Sequence, residues 1–239
     1  MQRSALMLLT AALLALVGVG PAAAADTPAL TADYDCGPLL TDEQAEDAMG
    51  TPIAVGETSV SFPGGARSYA CTWTSGGNRV GKVLAISLRD LSVKANRIDR
   101  KRVICKLPGM TQKTRDRVCD LVDQLEDVRT GGAAFGLYVR LIRAANAGAN
   151  ADRLTVAGQK AALVDGVLGG GIAMVPPGWS IVYVNCHNLK TSQLDRRCTL
   201  QALKSALANI REQQGEWCEG DSTVRCQPRF VQPVPKRKR

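Results

Sequence analysis

Eight cysteines constrain this chain more than any other feature, because all of them follow an amino-terminal stretch that reads as an export signal. They stand at positions 36, 71, 105, 119, 186, 198, 218 and 226, and none belongs to a CxxC unit. An even number of cysteines in an oxidising compartment points to paired thiols. Eight cysteines allow on the order of a hundred connectivities, but separations of 35, 14, 12 and 8 residues between successive pairs favour a sequential pattern. The expectation is Cys36 with Cys71, Cys105 with Cys119, Cys186 with Cys198, and Cys218 with Cys226. Each closed loop would contribute roughly 2 to 4 kcal/mol. That help matters in a chain with only three Trp, four Tyr and three Phe to fill a core.

The export signal lies in MQRSALMLLTAALLALVGVGPAAAAD: Arg3 makes a positive start, residues 5–19 are apolar, and Ala23, Ala24 and Ala25 form a small-residue cleavage pattern. Residues 1–25 are expected to be removed as a signal peptide, with a linker over 26–35, a secreted domain over 36–217, and a disulfide-closed turn with a basic disordered tail over 218–239. The apolar run falls short of the about 20 residues that a membrane span needs, and no second such run follows, so no transmembrane segment is expected after signal removal. No cysteine sits close behind the run to take a lipid. Free secretion, with cell-wall association as a variant of it, is the expected location.

Periodicity gives an α+β reading: an antiparallel sheet backed by helices and stapled by disulfides. DEQAEDAM is framed by Thr41 and Gln44 as a capping box and by Gly50 as a stop, which predicts a helix over 42–49. Tyr69, Cys71 and Trp73 alternate with Ser68, Ala70 and Thr72, and Leu84, Ile86 and Leu88 alternate beyond a Gly-Gly-Asn turn, so residues 67–89 read as a hairpin. Helices are expected over SVKANRIDRKRVICKL and over the segment carrying Val118, Leu121, Val122, Leu125 and Val128. The alternation of Phe135, Leu137, Val139 and Leu141 favours a strand there. DRLTVAGQKAALVDG and WSIVYVNC read as strands separated by a mobile Gly/Pro-rich loop, GVLGGGIAMVPPG, and the region around 155–186 as a loose counterpart of the first hairpin. A last helix over about 197–214 carries Leu200, Leu203, Leu207 and Ile210 on one face.

The succession DCGPLLTDEQAEDAMG, ACTWTSGG, LTVAGQKAALV, YVNC and CTLQALKSALANI resembles an actinobacterial family of secreted proteins and lipoproteins catalogued as a domain of unknown function, over about residues 36–210. The resemblance implies an extracytoplasmic α+β module and no known activity. This chain departs from the family pattern in lacking a lipid-attachment cysteine at the signal end and in a longer segment over about 92–150.

Motifs with chemistry are few. His187 is the single histidine, so zinc sites built on several His and Cys ligands are not expected, and no metal or cofactor is assigned. GGNRVGK places Gly76, Gly81 and Lys82 at P-loop spacing, but Val83 stands where a metal-binding Ser or Thr belongs and the next segment is strand-like; a glycine turn is the better account. No G-x-S-x-G elbow occurs. A hydrolase would have to use His187 with a serine brought near by folding and a carboxylate such as Asp195. Cys186 adjoins His187, but neighbours on a strand point to opposite faces, which favours a bridge over a catalytic pair. No carboxylate pair stands out for glycoside cleavage, and no catalytic residue is assigned.

Charge is the remaining signal. The chain carries a formal +8, and removal of Arg3 with the signal leaves 29 basic against 22 acidic residues. Lys94, Arg97, Arg100, Lys101, Arg102 and Lys106 gather around Asp99 alone, and Lys236 to Arg239 close the chain. These are the candidate binding residues, suited to anionic cell-wall polymers or lipid head groups. Nucleic acid is disfavoured by export and by the absence of aromatics interleaved with the basic residues. The expected function is a secreted non-enzymatic module; the alternatives are an extracytoplasmic hydrolase using His187 and an accessory protein docking another secreted or envelope protein.

Overall fold

The computed structural model describes residues 36–37, 39–54, 59–61, 68–76, 81–91, 105, 110–175 and 180–218. Among them are four helices, α1 (Asp42–Met49), α2 (Gln112–Glu126), α3 (Gly131–Ala145) and α4 (Arg196–Cys218), and seven strands. The strands are β1 (Ser59–Ser61), β2 (Ser68–Ser75), β3 (Lys82–Asp90), β4 (Ala151–Val156), β5 (Gln159–Val164), β6 (Gly170–Val175) and β7 (Ser180–Asn188). They form one sheet in the order β1-β2-β3-β7-β6-β5-β4, every pairing antiparallel. Two meanders, β1 to β3 and β4 to β7, thus meet at a single non-local seam where Lys82 faces Asn188 and Asp90 faces Ser180.

Strand alternation sorts the interior into two cores. On one face Cys71, Trp73, Leu84, Ile86, Val182, Val184 and Cys186 pack with Leu39, Leu40 and Met49 of the α1 region and with Leu203, Leu207 and Ile210 of α4. On the other, Ala70, Ala85, Ile172, Ile181 and Tyr183 pack with Val118, Leu121 and Leu125 of α2 and with Leu137, Tyr138 and Leu141 of α3. The result is the expected α+β class with the sheet covered on both faces.

The helix ends are tied down by short-range chemistry. Thr41 and Gln44 make the expected reciprocal capping box. Gln44 also exchanges amide hydrogen bonds with Asn209 of α4, and Asp42 accepts the indole N–H of buried Trp73 at 2.7 Å, so the first turn of α1 is bound to a helix and to a strand at once. Thr111 and Thr130 cap α2 and α3 by accepting from the N–H groups of Thr114 and Ala133.

Three of the expected disulfides are present: Cys36–Cys71, Cys105–Cys119 and Cys186–Cys198, with Cα separations of 6.1, 5.5 and 5.9 Å. Cys226 lies outside the described residues, and with it the expected Cys218 pair. So do most of SVKANRIDRKRVICKL and the tail over 219–239.

Several expectations are corrected. Residues 135–141 form part of α3, not a strand: the buried residues Ala134, Leu137, Tyr138, Leu141 and Ile142 recur every three or four positions, and the Thr130 cap starts a helix that the alternation of Phe135, Leu137, Val139 and Leu141 concealed. The glycine-rich segment expected as a mobile loop contains β6, buried along almost its whole length. Its glycines permit close approach: a Cβ on Gly170 would sit 2.9 Å from the Tyr183 ring. The segment DRLTVAGQKAALV is a hairpin of β4 and β5, so the region 155–186 holds several strands, not one counterpart hairpin. The turn-rich segment after α1 adds the short β1, and the last helix extends over Arg196–Cys218.

The β4–β5 turn is made by Ala157 and Gly158, with φ of 48° and 78°. Positive φ at both positions is the requirement of the hairpin-favouring type I′ turn, and it strains an alanine. Ala157→Gly is expected to stabilise the protein by about 1 kcal/mol, checked by urea unfolding of the oxidised chain.

Candidate functional site

The six basic residues Lys94, Arg97, Arg100, Lys101, Arg102 and Lys106 lie outside the described residues. The structure does place His187, the residue on which the hydrolase alternative rests, and its surroundings form the most unusual polar site in the described body.

Strand β7 is the spine of the sheet and is buried on both faces. Its even-numbered side chains point to α1 and α4, and Cys186 uses that direction to bridge to Cys198 in the first turn of α4. Ile181 and Tyr183 point to α2 and α3, and alternation carries Asn185 and His187 to that same side. Cys186 and His187 therefore project to opposite faces, as strand geometry requires. Only 4% of His187 and 1% of Asn185 remain exposed. Neither ring nitrogen of His187 and neither amide atom of Asn185 has a hydrogen-bond partner among the described residues.

Burial dominates the titration of His187 and pushes its pKa below the ordinary 6.5; the backbone groups of Gly169, Ser192 and Gln193 approach the ring and pull the other way, without reversing the shift. The imidazole is therefore held neutral. Asp195 is not brought to it. Asp195 caps α4 by accepting from the N–H of Cys198 at 3.0 Å and forms an ion pair with Lys82 at 2.8 Å. Burial raises the Asp195 pKa, but the Cys198 N–H and Lys82 outweigh it and hold the carboxyl below its ordinary 3.8.

Lys82 itself donates to the carbonyl of Met49 at 2.6 Å, so one ammonium joins the end of α1 to the start of α4. As the first residue of a strand, with its charge already engaged, Lys82 matches the glycine-turn account and not a phosphate-binding lysine. Next to Asp195, Arg196 reaches Asp165 at 2.8 and 2.9 Å and also Asp152, clamping α4 to the β4–β5 region. No group of three or more His, Cys, Asp or Glu suited to a metal ion occurs among the described residues.

Sequence reading missed Asn185. Its signal was a polar residue inside the apolar run IVYVNC, and Ser87 and Arg89, buried on the same side of the neighbouring β3, belong to the same polar streak.

No family model, no curated protein and no solved structure matches this chain.

The depressed His187 pKa sets a pH window. The folded state binds the proton less well than the unfolded chain, so the stability from neutral His187 is complete above about pH 6.5 and is lost as pH falls below it. Asp195, also depressed, contributes stability that is present above about pH 3.8 and lost below it. Urea midpoints should therefore fall between pH 7.5 and 5.5 in the native chain and stay flat over that range in His187→Leu. Lys82→Met should lower stability by roughly 1 kcal/mol, measured at pH 7 in the same way.

Proposed function

We propose that the protein is a secreted, non-enzymatic module that binds anionic components of the cell envelope, wall polymers or lipid head groups. The observation that carries this reading is where the charge resides. The described residues carry 15 Lys and Arg against 15 Asp and Glu, a balanced body. The whole surplus of +8 falls in the remaining residues, which hold 15 basic against 7 acidic. Lys94, Arg97, Arg100, Lys101, Arg102 and Lys106, with Asp99 among them, supply +5 and Lys236 to Arg239 supply +4, while the other 5 basic and 6 acidic of these residues nearly cancel.

Such a segregated surplus attracts polyanions over about a Debye length while leaving the body free of self-repulsion. Three disulfides support export, since such bonds persist mainly in oxidising compartments. No helix among the described residues is long and apolar enough to cross a membrane. The hydrolase alternative draws no support from His187, which is buried, neutral and without a carboxylate partner among the described residues.

The test is cosedimentation with purified teichoic acid-bearing walls and with anionic vesicles. Binding should fall steeply between about 50 and 500 mM salt, and Arg100→Ala, Lys101→Ala and Arg102→Ala together should weaken it roughly a hundredfold. Salt-insensitive capture of one defined protein, unaffected by the triple replacement, would favour a docking role instead.

A further inference from the structure

Asn185 and His187 stand two residues apart on one face of β7, about 6.6 Å between Cα atoms. Together they bring four polar side-chain atoms into the interior, and none of the four meets a hydrogen-bond partner among the described residues. Left unpaired, each would cost about 1–3 kcal/mol, a heavy load against a total stability of about 5–15 kcal/mol. The neighbouring strands offer no side-chain partner. On β3, Val83 faces His187 and Ala85 faces Asn185. On the other side, Gly170 lies one step beyond the Gly171–Val184 pair and so beside Asn185.

Gly170 beside Asn185 carries no side chain that could bond the amide, and the backbone of Gly169, Ser192 and Gln193 stands near the imidazole. A neutral imidazole presents one donor and one acceptor, and an amide presents both kinds. What satisfies such a set is a small neutral molecule that donates and accepts with equal ease. A cation would want carboxylates here, and an anion would want a positive charge; neither kind of side chain belongs to this pair or its paired neighbours on β3.

We propose that Asn185 and His187 form a site for internal water, shared between the two side chains and the backbone around the His187 ring. A buried water of this kind makes about three hydrogen bonds and is costly to remove. It couples the strand face to the segment 189–194, which folds back so that Leu194 bridges to His187 and the N–H of Asn188 bonds to the carbonyl of Gln193. This inference stands independently of envelope binding.

Two measurements on the oxidised full chain test it. In the native protein, nuclear Overhauser spectra should show cross-peaks from the Asn185 side-chain amide protons to water with the sign of a long-lived contact, and imidazole nitrogen shifts should report one neutral tautomer. Absence of those cross-peaks, or a stoichiometric metal ion at His187, overturns the proposal. In the second, Asn185→Leu and His187→Leu should each raise the unfolding constant about tenfold or more, whereas the double variant should lie within about threefold of either single one, because the shared water is lost only once. Additive effects overturn the sharing. If the variants fail to fold, the native-chain spectra decide alone.

Discussion

The seam between β3 and β7 is the constraint on which the rest of this structure depends. Every other pairing in the sheet joins strands consecutive in sequence, but this one unites two meanders across almost a hundred residues. Closing so long a loop carries a substantial entropic cost, offset only when both faces of the joined strands are covered. β7 meets that condition: it is buried nearly end to end, with α1 and α4 on one side and α2 and α3 on the other. The Cys186–Cys198 bridge then fastens α4 directly to the seam strand, and Cys36–Cys71 fastens the segment before α1 to β2 on the same face.

Around the seam, the charged groups of the body serve its own joints. Lys82 binds the end of α1 to the cap of α4, and Arg196 binds α4 to the β4–β5 region. These ion pairs are partly exposed, so their worth lies more in orienting helix ends than in raw stability. The described residues are balanced in charge, and the positive surplus belongs to residues that follow β3 and α4 in the sequence. The second face of β7 is different in kind: it buries Asn185 and His187, which with Ser87 and Arg89 of β3 make a polar streak in an interior filled mainly by aliphatic and aromatic side chains. A polar core of that sort contributes specificity of packing only when its hydrogen bonds are complete.

Much of this was legible from residue order alone. The α1 helix was announced by Thr41, Gln44 and Gly50, because caps act over three or four residues and need no tertiary context. The hairpin of β2 and β3 was visible in its alternation, and three disulfides in the spacing of their cysteines. The α3 segment was misread because Phe135, Leu137, Val139 and Leu141 alternate as a strand would, while the burial that decides the matter falls on Ala134, Leu137, Tyr138, Leu141 and Ile142. The β6 segment was misread because glycine there answers to the Tyr183 ring, a neighbour from another strand.

Sequence by itself determined the capped α1 helix, the β2–β3 hairpin, three of the disulfides and the clustering of positive charge, since each follows from neighbouring residues or from simple counting. Only the tertiary structure decided that β3 and β7 join, that helices cover both faces, and that His187 is an interior, neutral side chain beside Asn185 and not a partner of Asp195. The physical reason is that burial and pairing are properties of residues far apart in the chain. A histidine in a loop and a histidine in a core are spelled alike until the strand beside it and the helices above it are in place.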